Sequence, residues 1–287
     1  MKKKLIALML TCVMTVMPMS AFANITMEKT GEAVDAKLSE TSYTYDEDSH
    51  IPEVYFSYYG LSLIEKTHYT IYGVYSDANC TTKVKKPKEV GTYYLKCYAV
   101  SGSGFVGSET LPYQITGVSA KKLKITLKTT SYDYDGKAKE PSVTVKYANG
   151  TSVDKDDYTV TYSNNKNAGT AKVTIAGTGN ITGSVTKTFK IKKVASSTSV
   201  KNESKTYSYS KTSARSFKIG ASNTSGGKIT YSITKYPSGG KKYIKVSSKG
   251  VVTLKKKAPK GTYKIKVTSK ATTNYKKSSA TVVVTVK

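Results

Sequence analysis

Ser42-Tyr43-Thr44-Tyr45-Asp46 recurs 89 positions later as Ser131-Tyr132-Asp133-Tyr134-Asp135. Pro52 and Pro141 keep that spacing, as do Val54 and Val143, and Tyr69-Thr70 and Tyr158-Thr159. Further on the spacing falls to 78, where Val90-Gly91-Thr92 matches Ala168-Gly169-Thr170. The first copy therefore carries 11 extra residues around Tyr75 to Lys88. The ends re-align, Gly107-Ser108 with Gly183-Ser184 and Tyr113-Gln114-Ile115 with Phe189-Lys190-Ile191. A match of this length in one order means two copies of one folding unit. A fainter echo, Thr206-Tyr207-Ser208-Tyr209, opens a third unit that lacks the following Pro.

Within each unit the apolar residues alternate. Ala171, Val173 and Ile175 are separated by Lys172 and Thr174, and Tyr263, Ile265 and Val267 by Lys264 and Lys266. Val143 and Val145, Phe189 and Ile191, and Val282, Val284 and Val286 follow the same rule. A period of two is that of strands with one buried face. Asn149-Gly150, Asn164 to Gly169, Gly177 to Asn180 and Ser225-Gly226-Gly227 supply the turns. The expected fold class is all-β, as tandem Ig-like β-sandwich domains over 24–117, 118–193 and 194–287.

Residues 1–23 read as a cleaved signal peptide. Lys2, Lys3 and Lys4 precede an apolar run from Leu5 to Met17, and Ala21-Phe22-Ala23 is an A-x-A cleavage signal. A lipoprotein reading through Cys12 is disfavoured, because the apolar run continues past it. The mature chain then starts at Asn24, is secreted, and permits disulfides. It holds no other apolar run near the ~20 residues of a transmembrane segment.

Charge is uneven. Residues 24–117 carry 8 Lys against 12 acids, and 118–193 carry 14 Lys against 6. Residues 194–287 carry 20 Lys plus Arg215 against Glu203 alone, net +20. A face of one sign attracts polyanions over long range. Outside a cell the expected partner is an anionic cell-wall polymer or acidic glycan, with no specific nucleic acid. A solvated, Lys-studded strand face is the competing explanation. Lys255, Lys256, Lys257 and Lys260 are the candidate polyanion patch.

The run Tyr158-Thr-Val-Thr-Tyr-Ser-Asn-Asn-Lys-Asn-Ala-Gly-Thr-Ala-Lys-Val-Thr-Ile-Ala-Gly-Thr-Gly-Asn180 resembles the bacterial Ig-like repeats called MBG or YDG-type, as does Tyr134-Asp135-Gly136. The resemblance covers 120–192 well. It covers 40–116 loosely, since Glu47 replaces the Gly and the insertion interrupts it. The third unit is similar to other bacterial Ig-like domains through Val246 to Thr253, Gly261 to Val267 and Asn274-Tyr275. The resemblance implies secreted or cell-surface scaffold, stalk or adhesin modules, notably of Gram-positive type, and no catalytic residues.

Searching for chemistry leaves little. Asp135-Gly136 reads as a turn. Asp154, Asp156 and Asp157 lack the sharp-turn Gly and distal Glu of a Ca²⁺ loop. His50 and His68 flank no nucleophile motif, and there is no H-E-x-x-H, P-loop or dinucleotide fingerprint. No enzyme activity, cofactor or metal is expected. Cys80 in the insertion and Cys97 in a core position form a disulfide or remain two thiols. A bridge would be worth about 3 kcal/mol by chain entropy. Insertions on a repeat scaffold map to loops, and loops carry recognition. Tyr75, Lys83, Lys85, Lys86 and Lys88 are therefore the candidate recognition loop, for a host or cell-surface protein. A Tyr platform for carbohydrate, or a pure spacer within a larger assembly, are the rival readings.

Overall fold

A computed structural model describes residues 27–287. The expected signal peptide, its cleavage site and Cys12 lie outside the described residues. The regular structure of the described residues is β-strand apart from three short 3-10 turns. It divides into two compact units, between Val118 and Ser119.

In the first unit, three strands lie in one sheet. β1 (Asp35–Leu38) pairs with β3 (Val54–Tyr58), which turns back onto Leu61–Ser62. The second sheet has the order β2 (Ser42–Thr44), β7 (Ser108–Thr116), β6 (Gly91–Ala99), β4 (Tyr69–Tyr75) and β5 (Lys83–Val84). Alternation does the sorting. Tyr93, Leu95 and Cys97 are buried along β6, and Tyr113 and Ile115 along β7. Phe56 of the other sheet meets Tyr69 with ring centroids 4.7 Å apart.

The second unit contains two sandwiches. In the first of them, β8 (Lys124–Leu127) pairs with β10 (Val143–Lys146). It faces a sheet ordered β9 (Ser131–Asp133), β13 (Ser184–Lys192), β12 (Gly169–Gly177) and β11 (Tyr158–Ser163). In the other, β14 (Ser204–Tyr207), β20 (Ser278–Val286), β19 (Gly261–Ser269) and β16 (Ile229–Lys235) form one sheet. β15 (Arg215–Lys218), β18 (Val251–Leu254) and β17 (Ile244–Val246) form its partner.

The repeated Tyr motif has one structural meaning in all three sandwiches. Its strand runs parallel to the last strand, with Ser42 opposite Gln114, Ser131 opposite Lys190 and Thr206 opposite Thr285. The motif's second Tyr then donates its amide to the residue that ends or follows that strand: Tyr45 to Thr116, Tyr134 to Lys192 and Tyr209 to Lys287. So the faint third echo occupies the same place as the two strong ones. A second device recurs in two of the three. Tyr93 and Tyr263 each follow Gly-Thr at the start of a central strand. Each hydroxyl donates to the carbonyl four residues upstream, Glu89 at 2.8 Å and Pro259 at 3.0 Å. This is the tyrosine corner of Ig-type sandwiches. Ala171 stands at that position in the middle sandwich.

No break in compactness falls at 193/194; both sandwiches of the second unit are joined there by hydrogen bonds. Asn274 accepts from Ala168 N through its Oδ1 (2.8 Å) and donates through its Nδ2 to Asn167 Oδ1 (3.1 Å). Val194 N donates to Asn274 O and Lys276 N to Val194 O, while Tyr275 packs its ring edge-on to Tyr134.

Candidate functional site

The insertion from Tyr75 to Lys88 contains an added two-residue edge strand within a longer loop. β5 pairs antiparallel with the end of β4, Lys83 opposite Tyr75 and Val84 opposite Val74. This strand makes the sheet five-stranded where the second copy has four. Asp77 organises the connecting turn by accepting from Thr82 N (2.7 Å) and Thr81 N (3.1 Å). Those amides hold its carboxyl below the usual carboxylate range. Of the expected recognition residues, Lys85, Lys86 and Lys88 are exposed, and Lys88 lies 3.6 Å from Glu89. Buried Pro87 between them accepts from His50 N. Tyr75 is only 5% exposed and serves as the floor of the insertion.

Sequence reasoning missed the face beside it. β4 carries a bulge at Tyr72, which turns that side chain outward and leaves it 55% exposed. Its ring meets Tyr98 edge-on at 5.2 Å. Lys83 Nζ sits 4.7 Å from the Tyr72 ring centroid and donates to Tyr72 O, and Lys96 Nζ lies 5.3 Å from the Tyr98 ring. At the matching positions the second copy has Thr161 for Tyr72, Lys172 for Tyr94, Thr174 for Lys96 and Ala176 for Tyr98. The available signal was the alternation itself: Tyr94, Lys96 and Tyr98 fill the outward positions between Tyr93, Leu95 and Cys97.

The expected Cys80–Cys97 bridge is not formed; both are free thiols. Cys97 is fully buried on the core side of β6, and burial, with Glu65 and Glu109 nearby, pushes its thiol up to about 12. Cys80 sits in the insertion turn, electrostatically coupled to Tyr75 and Lys96. Lys96 is adjacent to Cys97 and points to the opposite face of the sheet, so the two sulfurs lie on opposite sides of one strand.

The four expected polyanion lysines share one tethered loop after β18. Lys255 N donates to Tyr243 O, Lys257 N to Ser210 O, and Ala258 is buried. The side chains of Lys255, Lys256, Lys257 and Lys260 are all exposed. Among the described residues the ion pairs are His50–Asp46, Lys88–Glu89 and Lys139–Asp135, and none involves residues 194–287.

The remaining polar motifs hold the fold. Asp135 accepts from Lys137 N and Lys139 Nζ, closing the turn at Gly136, whose φ is +82. Asp154 accepts from Asp156 N, and buried Asp157 accepts from Asn180 N. His68 Nδ1 accepts from Ile64 N, and His50 stacks on Tyr43 beside Asp46. Among the described residues no helix is long and apolar enough to cross a membrane.

Residues 132–193 match the family model described as bacterial Ig-like domain (group 3). That stretch lies within the middle sandwich, and the fold class is all-β and Ig-like. No curated protein matches the chain. Among solved structures, an I-band fragment of titin is 14% identical, covering 88% of this chain and 98% of its own, with a TM-score of 0.34. The first two domains of human protocadherin-24 are 15% identical over 57% of this chain and 97% of theirs, with a TM-score of 0.29. Domains 1–6 of the surface layer protein SbsC are 16% identical over 88% of this chain and 40% of that one, with a TM-score of 0.24.

Proposed function

We propose that this chain is a secreted, non-catalytic surface scaffold or adhesin-like protein of Gram-positive type, built from three Ig-like domains, two of them MBG/YDG-type repeats. Its third domain, 194–287, holds the protein on an anionic wall polymer. The observation that supports this reading is 20 Lys plus Arg215 against Glu203, with none of those cations in an ion pair among the described residues. The charge is displayed on a rigid strand scaffold and is free to release counterions on meeting a polyanion. The first domain, with its Tyr72–Tyr98–Lys83–Lys96 face, carries recognition of a cell-surface or host partner. Aromatic rings beside ammonium groups suit an acidic glycan, which makes a carbohydrate-binding role the second reading.

Sedimentation of the mature chain with purified cell walls across a salt series tests retention. The affinity should fall linearly on a log–log plot. Replacing Lys255, Lys256, Lys257 and Lys260 by Gln should reduce the slope by about 3, at roughly 0.7–0.9 for each phosphate no longer neutralised. Wall binding that does not weaken with salt rejects the electrostatic reading.

A further inference from the structure

The joint between the two sandwiches of the second unit carries an open cleft of about 360 Å³. Its charged lining is Lys190, Lys192, Lys193 and Lys276, with Asp133 as the one acid. Lys190, Lys192 and Asp133 come from β13 and β9, side by side in the sheet, with Asp133 opposite Lys192. Lys276 comes from the other sandwich, on the turn between β19 and β20. The backbone of Lys276 is held at the cleft by the hydrogen bond its N–H donates to Val194 O and by the Asn274 hydrogen bonds to Asn167 and Ala168. Lys193 Nζ donates to Thr272 O at 2.7 Å, tying the two walls together. Asp133 is in none of the ion pairs of the described residues.

We propose that this cleft is a phosphate site, seating one phosphoryl group of an anionic polymer between the two sandwiches. Lysines that line one cleft from β13, from the residue after it and from the other sandwich suit a tetrahedral oxyanion. Each Lys ammonium is a point charge with three rotatable donors, which can follow the oxygens spread around a phosphoryl group, and the chain's single Arg, Arg215, is not in the lining. The site is distinct from the Lys255–Lys260 loop. Lys260 precedes the start of the nine-residue β19 and Lys276 follows its end, about 25 Å apart at the usual rise per residue. Because Lys276 of the other sandwich completes a cleft otherwise lined by the middle sandwich and Lys193, an occupied site also stiffens the joint. The proposal rests on the polyanion reading above and gives it a defined pocket.

Calorimetric titration of the full mature chain with inorganic tripolyphosphate, at fixed low salt, tests it, with citrate as the carboxylate comparison. Lys192→Gln with Lys276→Gln should weaken tripolyphosphate binding about 10-fold, whereas Lys256→Gln with Lys257→Gln should change it less than about 2-fold. Asp133→Asn should tighten it about 3-fold, a gain that misfolding does not produce. Equal losses from both lysine pairs, no gain from Asp133→Asn, or citrate binding as tightly as tripolyphosphate would each overturn the proposal. Salt-sensitive wall binding that ignores the cleft variants defeats the phosphate site and leaves retention standing. Cleft-dependent tripolyphosphate binding without wall binding defeats retention and leaves the site standing.

Discussion

Tyr263→Phe isolates one hydrogen bond in a fully packed place. The Tyr263 ring is 0% exposed, so Phe keeps the apolar burial and loses only the hydroxyl. That hydroxyl donates to Pro259 O at 3.0 Å, and burial raises its pKa so that it remains a donor across the physiological range. What is lost is a neutral hydrogen bond plus the partner left to a half-buried carbonyl, about 1–1.5 kcal/mol in all. Hydrogen exchange of the full chain reads this locally. The slowest amides of β19 should exchange roughly 5- to 13-fold faster, while those of β6 in the other compact unit stay unchanged. Tyr93→Phe should give the reverse pattern, through the 2.8 Å bond to Glu89 O. If β19 exchange is unaltered, or if both units respond equally, the corner hydroxyl is not what fixes the start of the strand.

Three further outcomes follow from the geometry. At pH 8, Cys80 should react with an alkylating reagent while Cys97, with its thiol pushed up to about 12 in the core, reacts only as the unit unfolds; mass mapping of the two peptides reads this. Gly177→Ala should cost about 2 kcal/mol or more in urea unfolding, because its Cβ would collide with the Ile181 carbonyl. The equivalent Ala99 of the first copy sits before a turn two residues longer, so Ala99→Gly should cost about 1 kcal/mol or less. Asp135 titrates below the usual carboxylate range because Lys139 and the Lys137 amide favour its charged form. Its contribution is therefore present above the unfolded pKa and lost as pH falls through the lower folded value. Asp135→Asn should remove that part of the acid sensitivity, read by melting temperature across pH 2–6.

Legibility divided along the strand. Positions read from period-two alternation, such as Ala171, Val173 and Ile175 or Tyr263, Ile265 and Val267, are buried on one face. The Tyr motif marked a strand in every unit because parallel pairing with the last strand imposes the same local pattern each time. The insertion was visible as extra length but not as β5, since a two-residue edge strand has no periodicity of its own. Tyr72 escaped notice because a bulge shifts the alternation by one. Cys97 was legible as a core position, yet which side of β6 Cys80 occupies depends on how the turn folds back. The Asn274 bonds join residues 106 and 107 positions apart, a separation that no local pattern encodes.

The joint at Asn274 bears on how charge and scaffold work together. A domain carrying +20 repels any basic neighbour, and the middle sandwich is itself net +8. Their approach is held mainly by neutral partners, Asn274, Asn167, Ala168 and Val194 with Tyr134 against Tyr275, and by one charged donor, Lys193 Nζ on Thr272 O. Lys190, Lys192, Lys193 and Lys276 are left crowded at the rim. Crowded ammonium groups raise the free energy of the joint, and a bound phosphate lowers it. Asn274→Ala removes two of the neutral ties and leaves the repulsion. The variant should therefore separate the unfolding of the two sandwiches in low salt and rejoin it when tripolyphosphate is added. A single cooperative transition under both conditions would show that packing alone, without Asn274, holds the joint.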